Sequence, residues 1–176
     1  MSKKIVLIIG ASGVGKDSLI REAKKSLGCE LNFVQRYITR EPDVNEDNIY
    51  LDNFSFSELK NTGFFLSTWT AHSNQYGIAK DSIETGLNII SISRSTIYDF
   101  EKEYDRVYTI NITIPDDELR LRLEARGRET KEEIDARMNR TYETIKANRL
   151  INFENTESLA TSSLYFISLL KKIRDE

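Results

Sequence analysis

The sequence is poor in cysteine and proline, and each scarcity excludes a kind of protein. A single cysteine, Cys29, can neither form an internal disulfide nor anchor a zinc site, so we expect a protein of the reducing cytoplasm. With two prolines among 176 residues, no stretch has the composition of a linker, and no internal repeat is visible. The sequence therefore predicts a single domain over residues 1–176.

Long apolar runs and excess positive charge are also missing. No run approaches the roughly 20 apolar residues that span a bilayer, and the run over 5–9 is too short for a secretory signal. The net charge of -3 disfavours nucleic acid as the main partner. We expect neither a membrane nor a nucleic-acid partner. A small anionic substrate remains compatible, because it needs only local positive charge. The oligomeric state stays open.

The apolar pattern alternates between strands and helices. Continuous apolar or β-branched runs predict strands over 4–9, 33–39, 87–92, 106–114 and 150–153. Helical spacing predicts helices over 16–27, 116–126, 131–148 and 159–173. The stretch over 40–76 is less regular, and we interpret it as part of an inserted acceptor-binding region over about 36–80. The alternation predicts a three-layer α/β fold with a mostly parallel five-stranded sheet flanked by helices.

A glycine-rich segment joins the first strand to the first helix and matches the pattern G-x-x-x-x-G-K of a P-loop. Its backbone N–H groups and the following helix N-terminus suit the phosphates of ATP, and its lysine suits the β- and γ-phosphates. The residues assigned to ATP are Gly10, Ala11, Ser12, Gly13, Val14, Gly15, Lys16, Asp17 and Ser18. The alternative is an ordinary glycine-rich turn, but the flanking strand and helix favour a P-loop NTPase fold.

The residue after Lys16 departs from the P-loop pattern, which has Ser or Thr there. Asp17 offers a carboxylate, a hard oxygen ligand that suits Mg²⁺. We predict Asp17 as the metal-binding residue, directly or through water. Two alternatives remain: Asp17 is an acid that stabilises a helix N-terminus, or Ser18 supplies the hydroxyl.

Arginines crowd one part of the chain, at 122, 126, 128, 137 and 140. Their guanidinium groups suit the charge that develops during phosphoryl transfer, and a loop between two helices can close over the site. We predict a short lid over about 126–137, with Arg128 and Arg137 catalytic and Arg126 contacting ATP. The alternative is a solvated helix face with many charge pairs.

The order of motifs resembles the guanylate kinase-like P-loop kinases over nearly the whole chain. Within that group the sequence is most similar to the ribose 1,5-bisphosphate phosphokinase family of phosphonate breakdown. The stretches that carry the likeness are GASGVGKDSL at 10–19, RYITR at 36–40, GFFLSTWTAHSNQYGI at 63–78, SR at 93–94 and RGRE at 126–129. The acidic loop over 41–48, Ser73 and Ala79 depart from the family pattern.

The resemblance implies that ATP, with Mg²⁺, phosphorylates ribose 1,5-bisphosphate to 5-phosphoribosyl 1-diphosphate. It implies an acceptor site built from five residues, namely Arg36, Arg40, His72, Tyr76 and Arg94. The alternatives are a structural role for His72 and surface charge pairs for the arginines. Guanylate kinases read guanine with carboxylates, whereas Ser67 stands at one such position here and the stretch over 88–95 holds no acid.

Three other functions stay open. They are a guanylate kinase or other nucleoside monophosphate kinase, a kinase of another small acceptor, and a guanylate kinase-like module that binds without catalysing. The presence of Lys16, Arg128 and Arg137 argues against the last.

Overall fold

A computed structural model describes residues 2–41, 47–127, 129–140 and 144–176, apart from the side chains of residues 126, 137 and 140. The strands are β1 Lys3–Ile9, β2 Asn32–Phe33, β3 Tyr37–Ile38, β4 Ile49–Tyr50, β5 Phe65–Ala71, β6 Asn74–Ala79, β7 Gly86–Ser91, β8 Val107–Thr113 and β9 Leu150–Glu154. The α-helices are α1 Lys16–Leu27, α2 Asn53–Asn61, α3 Ile97–Glu103, α4 Asp116–Arg126, α5 Lys131–Arg140 and α6 Leu159–Asp175.

The main sheet has five strands in the order β2-β7-β1-β8-β9, and all its pairings are parallel. Its central strand β1 is apolar on both faces because each face is covered. Val6 and Ile8 pack in one core with α1 and α6, whereas Ile5, Leu7 and Ile9 pack in the other with α3. The predicted three-layer α/β fold is therefore confirmed.

The predicted strand over 33–39 is wrong, because the chain divides it between two sheets. Asn32 and Phe33 pair with β7 at the edge of the main sheet. Tyr37 and Ile38 pair antiparallel with β6 in a second sheet of order β4-β3-β6-β5. Only residues 34–36 cross between them. A continuous β-forming run does not reveal such a crossing, since both halves remain extended.

The stretch over 40–76 is more regular than the sequence indicates. It contains α2, whose N-cap Asp52 accepts a hydrogen bond from the Ser55 N–H, and the antiparallel hairpin β5-β6. The hairpin turns through His72 and Ser73, both with positive φ. Beneath it, Phe56 stacks on Phe65 with ring centroids 4.7 Å apart.

The predicted helix over 131–148 is too long, because α5 ends at Arg140 and residues 144–149 are not helical. Ile134 and Met138 of α5 pack in the core that contains α1. Ile145 packs against the opposite core, on the other face of the sheet. A single straight helix cannot place these residues on two faces. Helix α3 was not predicted either.

Candidate active site

Because the five strands are parallel, their carboxyl ends meet at one edge of the sheet, where open α/β sheets bind ligands. The glycine-rich loop follows β1, residues 34–36 follow β2, a 3₁₀ turn that starts at Arg94 follows β7, and Asn155 follows β9. Segments that are far apart in the sequence therefore border one crevice.

The glycine-rich loop has a backbone that other residues rarely adopt. Its φ angles are 148° at Gly10, 100° at Gly13 and 93° at Gly15. A Cβ on Gly10 would lie 2.5 Å from the carbonyl oxygen of Ile112, so a side chain there is excluded by the neighbouring strand. The N-cap of α1 is Gly15, which has no side chain to cap the first N–H groups of the helix. Such an end suits an anion.

Lys16 brings a positive charge to the centre of this loop. Its half-buried side chain bends back, and Nζ donates hydrogen bonds to the carbonyl oxygens of Gly10 at 2.7 Å and Ala11 at 2.9 Å. The ammonium group therefore lies beside the backbone that curls around the phosphate site. This arrangement fits the polyphosphate of a nucleotide.

Asn155, which follows the edge strand β9, holds the glycine-rich loop by a hydrogen bond. Its buried Nδ2 donates to the Val14 carbonyl oxygen at 2.7 Å, and its backbone N–H donates to Thr113 at 2.8 Å. A Cβ on Gly15 would lie 2.5 Å from the same Nδ2. Sequence reasoning did not assign this role to Asn155, because Asn155 and Val14 are 141 positions apart.

Arginine 122 of α4 reaches the glycine-rich loop. Its Nη1 lies 3.9 Å from the position that a Cβ on Gly15 would occupy, and its guanidinium pairs with Glu118 one turn earlier. The sequence showed Arg122 only as one of a crowded set. No local pattern distinguishes it, because its approach to Gly15 depends on how α4 packs beside the loop.

The side chains of the three arginines on which the lid prediction rests lie outside the described residues. Arg128 lies outside them, as do the side chains of Arg126 and Arg137, so their roles stay predictions. The start of helix α5, between Arg128 and Arg137, is described. Thr130 and Glu133 form a reciprocal cap at the start of α5, with bonds of 2.8 and 3.2 Å.

The acceptor side of the crevice contains a stacked set of three side chains. The Arg36 guanidinium carbon lies 5.8 Å from the ring centroid of Tyr76, and Tyr76 stacks on Trp69 with centroids 5.4 Å apart. Arg36 also donates to Ser91, which ends β7, at 3.4 Å, and to Asn48 at 3.1 Å. The structure thus brings together two of the predicted acceptor residues, Arg36 and Tyr76, whose ligand roles stay predictions.

A cavity of about 380 Å³ opens beside this stack, between α1 and the ends of β2 and β7. Asp17, Arg21, Arg36 and Ser91 are among the residues that line it. The exposed Asp17 carboxylate therefore lies between the loop and the acceptor side. In the described part of the chain, no three His, Cys, Asp or Glu side chains group as metal ligands. Mg²⁺ typically takes one or two protein carboxylates plus substrate phosphates, so the role of Asp17 as a metal ligand stays a prediction.

The other predicted acceptor residues lie around the same edge at different distances. Arg94 is half-buried and begins the 3₁₀ turn that comes after β7. Arg40 is two residues beyond Ile38, which pairs with Tyr76, and its Nη1 donates to the Glu41 carbonyl oxygen at 3.2 Å. His72 is exposed in the turn that follows β5, at the tip of the hairpin.

A carboxylate that the sequence analysis did not foresee lies on the acceptor side. The stretch over 88–95 holds no acid, but Asp99 of α3 supplies one, because the hydroxyl of Ser67 donates to its Oδ2 at 2.6 Å. Ser67 is buried and lies on β5, two residues before Trp69. The predicted acceptor side thus contains an acid, Asp99, that comes from outside the stretch over 88–95.

Comparison with known proteins supports a kinase fold. A family model described as an AAA domain matches residues 6–146. The chain is 33% identical over 180 residues to a ribose 1,5-bisphosphate phosphokinase PhnN of Acidiphilium cryptum, covering 99% of this chain and 96% of the relative. It is 36% identical over 165 residues to the protein of that name in Desulfomicrobium baculatum, covering 89% of this chain and 88% of the relative. A guanylate kinase from Anaplasma phagocytophilum shares the fold, with a TM-score of 0.69, 17% identity, and coverage of 99% of this chain and 88% of that chain.

Proposed function

Because this chain belongs to the ribose 1,5-bisphosphate phosphokinase family, we propose that it transfers the γ-phosphoryl group of ATP to the 1-phosphate of ribose 1,5-bisphosphate. The products are ADP and 5-phosphoribosyl 1-diphosphate. The coverage of nearly the whole Acidiphilium relative supports an activity carried by this one chain.

One observation carries the proposal: two anion-binding features face the same edge of one parallel sheet. The loop with Lys16 presents backbone N–H groups and an ammonium. The stack of Arg36 on Tyr76 presents a guanidinium at the ends of β2 and β7. Asp17 lines the cavity that adjoins both. A donor triphosphate and a phosphorylated acceptor would therefore meet over Asp17.

The chemistry needs alignment and charge neutralisation more than proton transfer. An oxygen of the acceptor 1-phosphate attacks the γ-phosphorus, and the bond from that phosphorus to the β-γ bridging oxygen breaks to release ADP. The attacking oxygen is already ionised near neutral pH, so no general base is required. Lys16 neutralises developing charge on the donor phosphates, and orientation accounts for much of the rate.

We assign the metal and lid roles by chemistry. Asp17, with Ser18, would hold Mg²⁺, which neutralises the phosphate oxygens when bound. Arg128 and Arg137 would contact the transferring group, and Arg126 would contact ATP, joined there by Arg122. The lid would also exclude water, which prevents wasteful hydrolysis of ATP.

On the acceptor side, Arg36, Tyr76 and Arg94 would bind the phosphates of the sugar. Arg40 would join them from the end of β3, and His72 would contact the sugar from the hairpin tip. The proposed partners are thus ATP, Mg²⁺ and a small phosphorylated sugar. The exposed single Cys29 suits the reducing cytoplasm, where we place the reaction.

A guanylate kinase activity is the competing function, and Asp99 is the observation in its favour, because guanine offers N–H donors to a carboxylate. An assay of ADP release with ribose 1,5-bisphosphate, GMP and AMP separates the two. We expect kcat/KM for the bisphosphate to exceed that for GMP by orders of magnitude. If GMP gives the larger value, the proposal is wrong.

Lys16→Met tests the donor side in the same assay. We expect kcat to fall by about 100-fold or more, because the charge that stabilises the transferring phosphoryl group is lost. Lys25→Met is the matched control, since Lys25 lies on the same helix, is exposed and pairs with Glu22. An unchanged kcat in Lys16→Met would contradict the assigned role.

A further inference from the structure

The acceptor side of the crevice contains one feature that phosphate binding does not explain, the pair formed by Ser67 and Asp99. Ser67 is 4% exposed and its hydroxyl donates to Asp99 Oδ2 at 2.6 Å. A carboxylate repels phosphate, so its presence in a site for a bisphosphate calls for another ligand group.

The pair lies on the face of β5 that carries the aromatic stack. Ser67 and Trp69 are two residues apart on one strand, so their side chains lie on the same face about 7 Å apart. Trp69 stacks on Tyr76, and Tyr76 lies under the guanidinium of Arg36. The order along the acceptor side is therefore arginine, tyrosine, tryptophan, and then serine with aspartate.

Asp99 lies on helix α3, which comes after strand β7 of the main sheet and packs against β5. Helix α3 follows the 3₁₀ turn that begins at Arg94, and both segments pack against β5. Asp99 is half-buried, and in the described part of the chain Ser67 is the side chain that donates to it. A carboxylate has about four lone-pair positions, so it retains capacity to accept hydrogen bonds.

The acceptor molecule has groups that can donate a hydrogen bond to the Asp99 carboxylate. Arginine side chains only donate hydrogen bonds, and they suit phosphate oxygens, which accept them. The hydroxyls of a sugar ring can donate, and among arginines alone their protons would have no acceptor. A carboxylate placed beyond the arginines and the aromatic rings provides that acceptor.

We propose that Asp99, oriented by Ser67, accepts a hydrogen bond from a ring hydroxyl of the ribose and so selects a hydroxylated sugar over its deoxy analogue. This inference rests on the proposed function, because it names how that acceptor is recognised. Asp99 is then a specificity-determining residue that touches the substrate, and Ser67 is a positioning residue that acts through it.

The test compares ribose 1,5-bisphosphate with its 2-deoxy and 3-deoxy analogues in wild-type protein and in Asp99→Asn. Asparagine keeps the shape and an oxygen for the Ser67 hydroxyl but loses the charge. We expect wild type to favour the ribose compound over at least one analogue. In Asp99→Asn, kcat/KM for the ribose compound should fall by about 10- to 100-fold, the range for a hydrogen bond to a charged group, while the value for that analogue changes little. The KM for ATP should stay the same.

The matched control is Glu103→Gln, which removes one negative charge from an exposed position on the same helix. It should leave the ratio between ribose and deoxy substrates unchanged. Ser67→Ala should lower that ratio less than Asp99→Asn does. An equal loss on all three substrates would show a structural role only and overturn the inference.

The outcomes separate this inference from the proposed function. If wild type turns over ribose 1,5-bisphosphate but Asp99→Asn leaves the ratio intact, only the role of Asp99 is wrong. If wild type turns over GMP and none of the sugars, the proposed function fails, and the role of Asp99 toward a sugar fails with it.

Discussion

At the scale of single residues, the site depends on side chains that hold the backbone as much as on those that meet substrate. Asn155 is the example, because its side-chain amide donates a hydrogen bond to the buried carbonyl oxygen of Val14 in the loop. The loop conformation therefore depends on a residue that lies 141 positions beyond Val14. A sequence pattern confined to residues 10–18 cannot include it.

We predict that Asn155→Ala raises KM for ATP and lowers the free energy of unfolding by about 1–3 kcal/mol, because a buried carbonyl loses its donor. Chemical denaturation and ATP titrations of the initial rate measure both quantities. Asn152→Ala is the control, since Asn152 is exposed on β9, the strand that Asn155 follows, and its Oδ1 accepts from Asn111. If the two variants behave alike, Asn155 does not hold the loop.

At the scale of secondary-structure elements, the β5-β6 hairpin positions the acceptor residues through a tightly packed glycine. A Cβ on Gly77 would lie 2.7 Å from ring atoms of Phe65. That ring cannot easily move, because it stacks on Phe56 and meets Tyr37 and Phe64 edge-on. Gly77 adjoins Tyr76, so any shift of the strand displaces the tyrosine beneath Arg36.

We predict that Gly77→Ala destabilises the protein by about 1–3 kcal/mol through overpacking and raises KM for the acceptor more than KM for ATP. The comparison variant is Gly86→Ala, which meets open space at φ 100° and whose strain lies outside the hairpin. It should lose stability without that selective rise. Denaturation midpoints measure the stability of each variant, and initial rates at varied ATP and at varied acceptor give the two KM values. Equal rises in both KM values would contradict the prediction.

The elements also show what sequence reasoning can and cannot reach. Strand β1 and the loop after it were predictable, because a fully apolar run and a glycine pattern are local signals. The division of residues 33–39 between two sheets was not, since extended backbone looks the same in either sheet. Asp99 was missed for a related reason: its partner Ser67 is 32 positions away, and only the packing of α3 against β5 joins them.

At the scale of the whole molecule, carboxylates with a lowered pKa link stability to pH; Asp47 lines the cavity beside α1, and Asp52 is the N-cap of α2. The pKa of Asp47 is lowered because Lys24 and then Gln35 donate hydrogen bonds to its carboxylate. The pKa of Asp52 is lowered because the backbone N–H and the hydroxyl of Ser55 donate to it. A group whose pKa is lower in the folded state stabilises the fold fully above its unfolded pKa, about 3.9, and progressively less as the pH falls below it.

We therefore predict that the free energy of unfolding decreases as the pH falls below about 4, and that Asp52→Asn makes this decrease smaller. Asparagine remains a good N-cap for α2 but does not titrate. Urea unfolding of both proteins at pH 6 and pH 3 measures the difference. A decrease of equal size in the two proteins would show that Asp52 does not contribute.

No helix in the described part of the molecule is both long and apolar enough to cross a bilayer. The two sheets are joined by two short segments, residues 34–36 and residues 80–85. Arg36 is thus both a candidate ligand of the acceptor and a member of one of the two segments that join the sheets. An anion bound to its guanidinium would therefore contact the chain at the point where it passes from one sheet to the other.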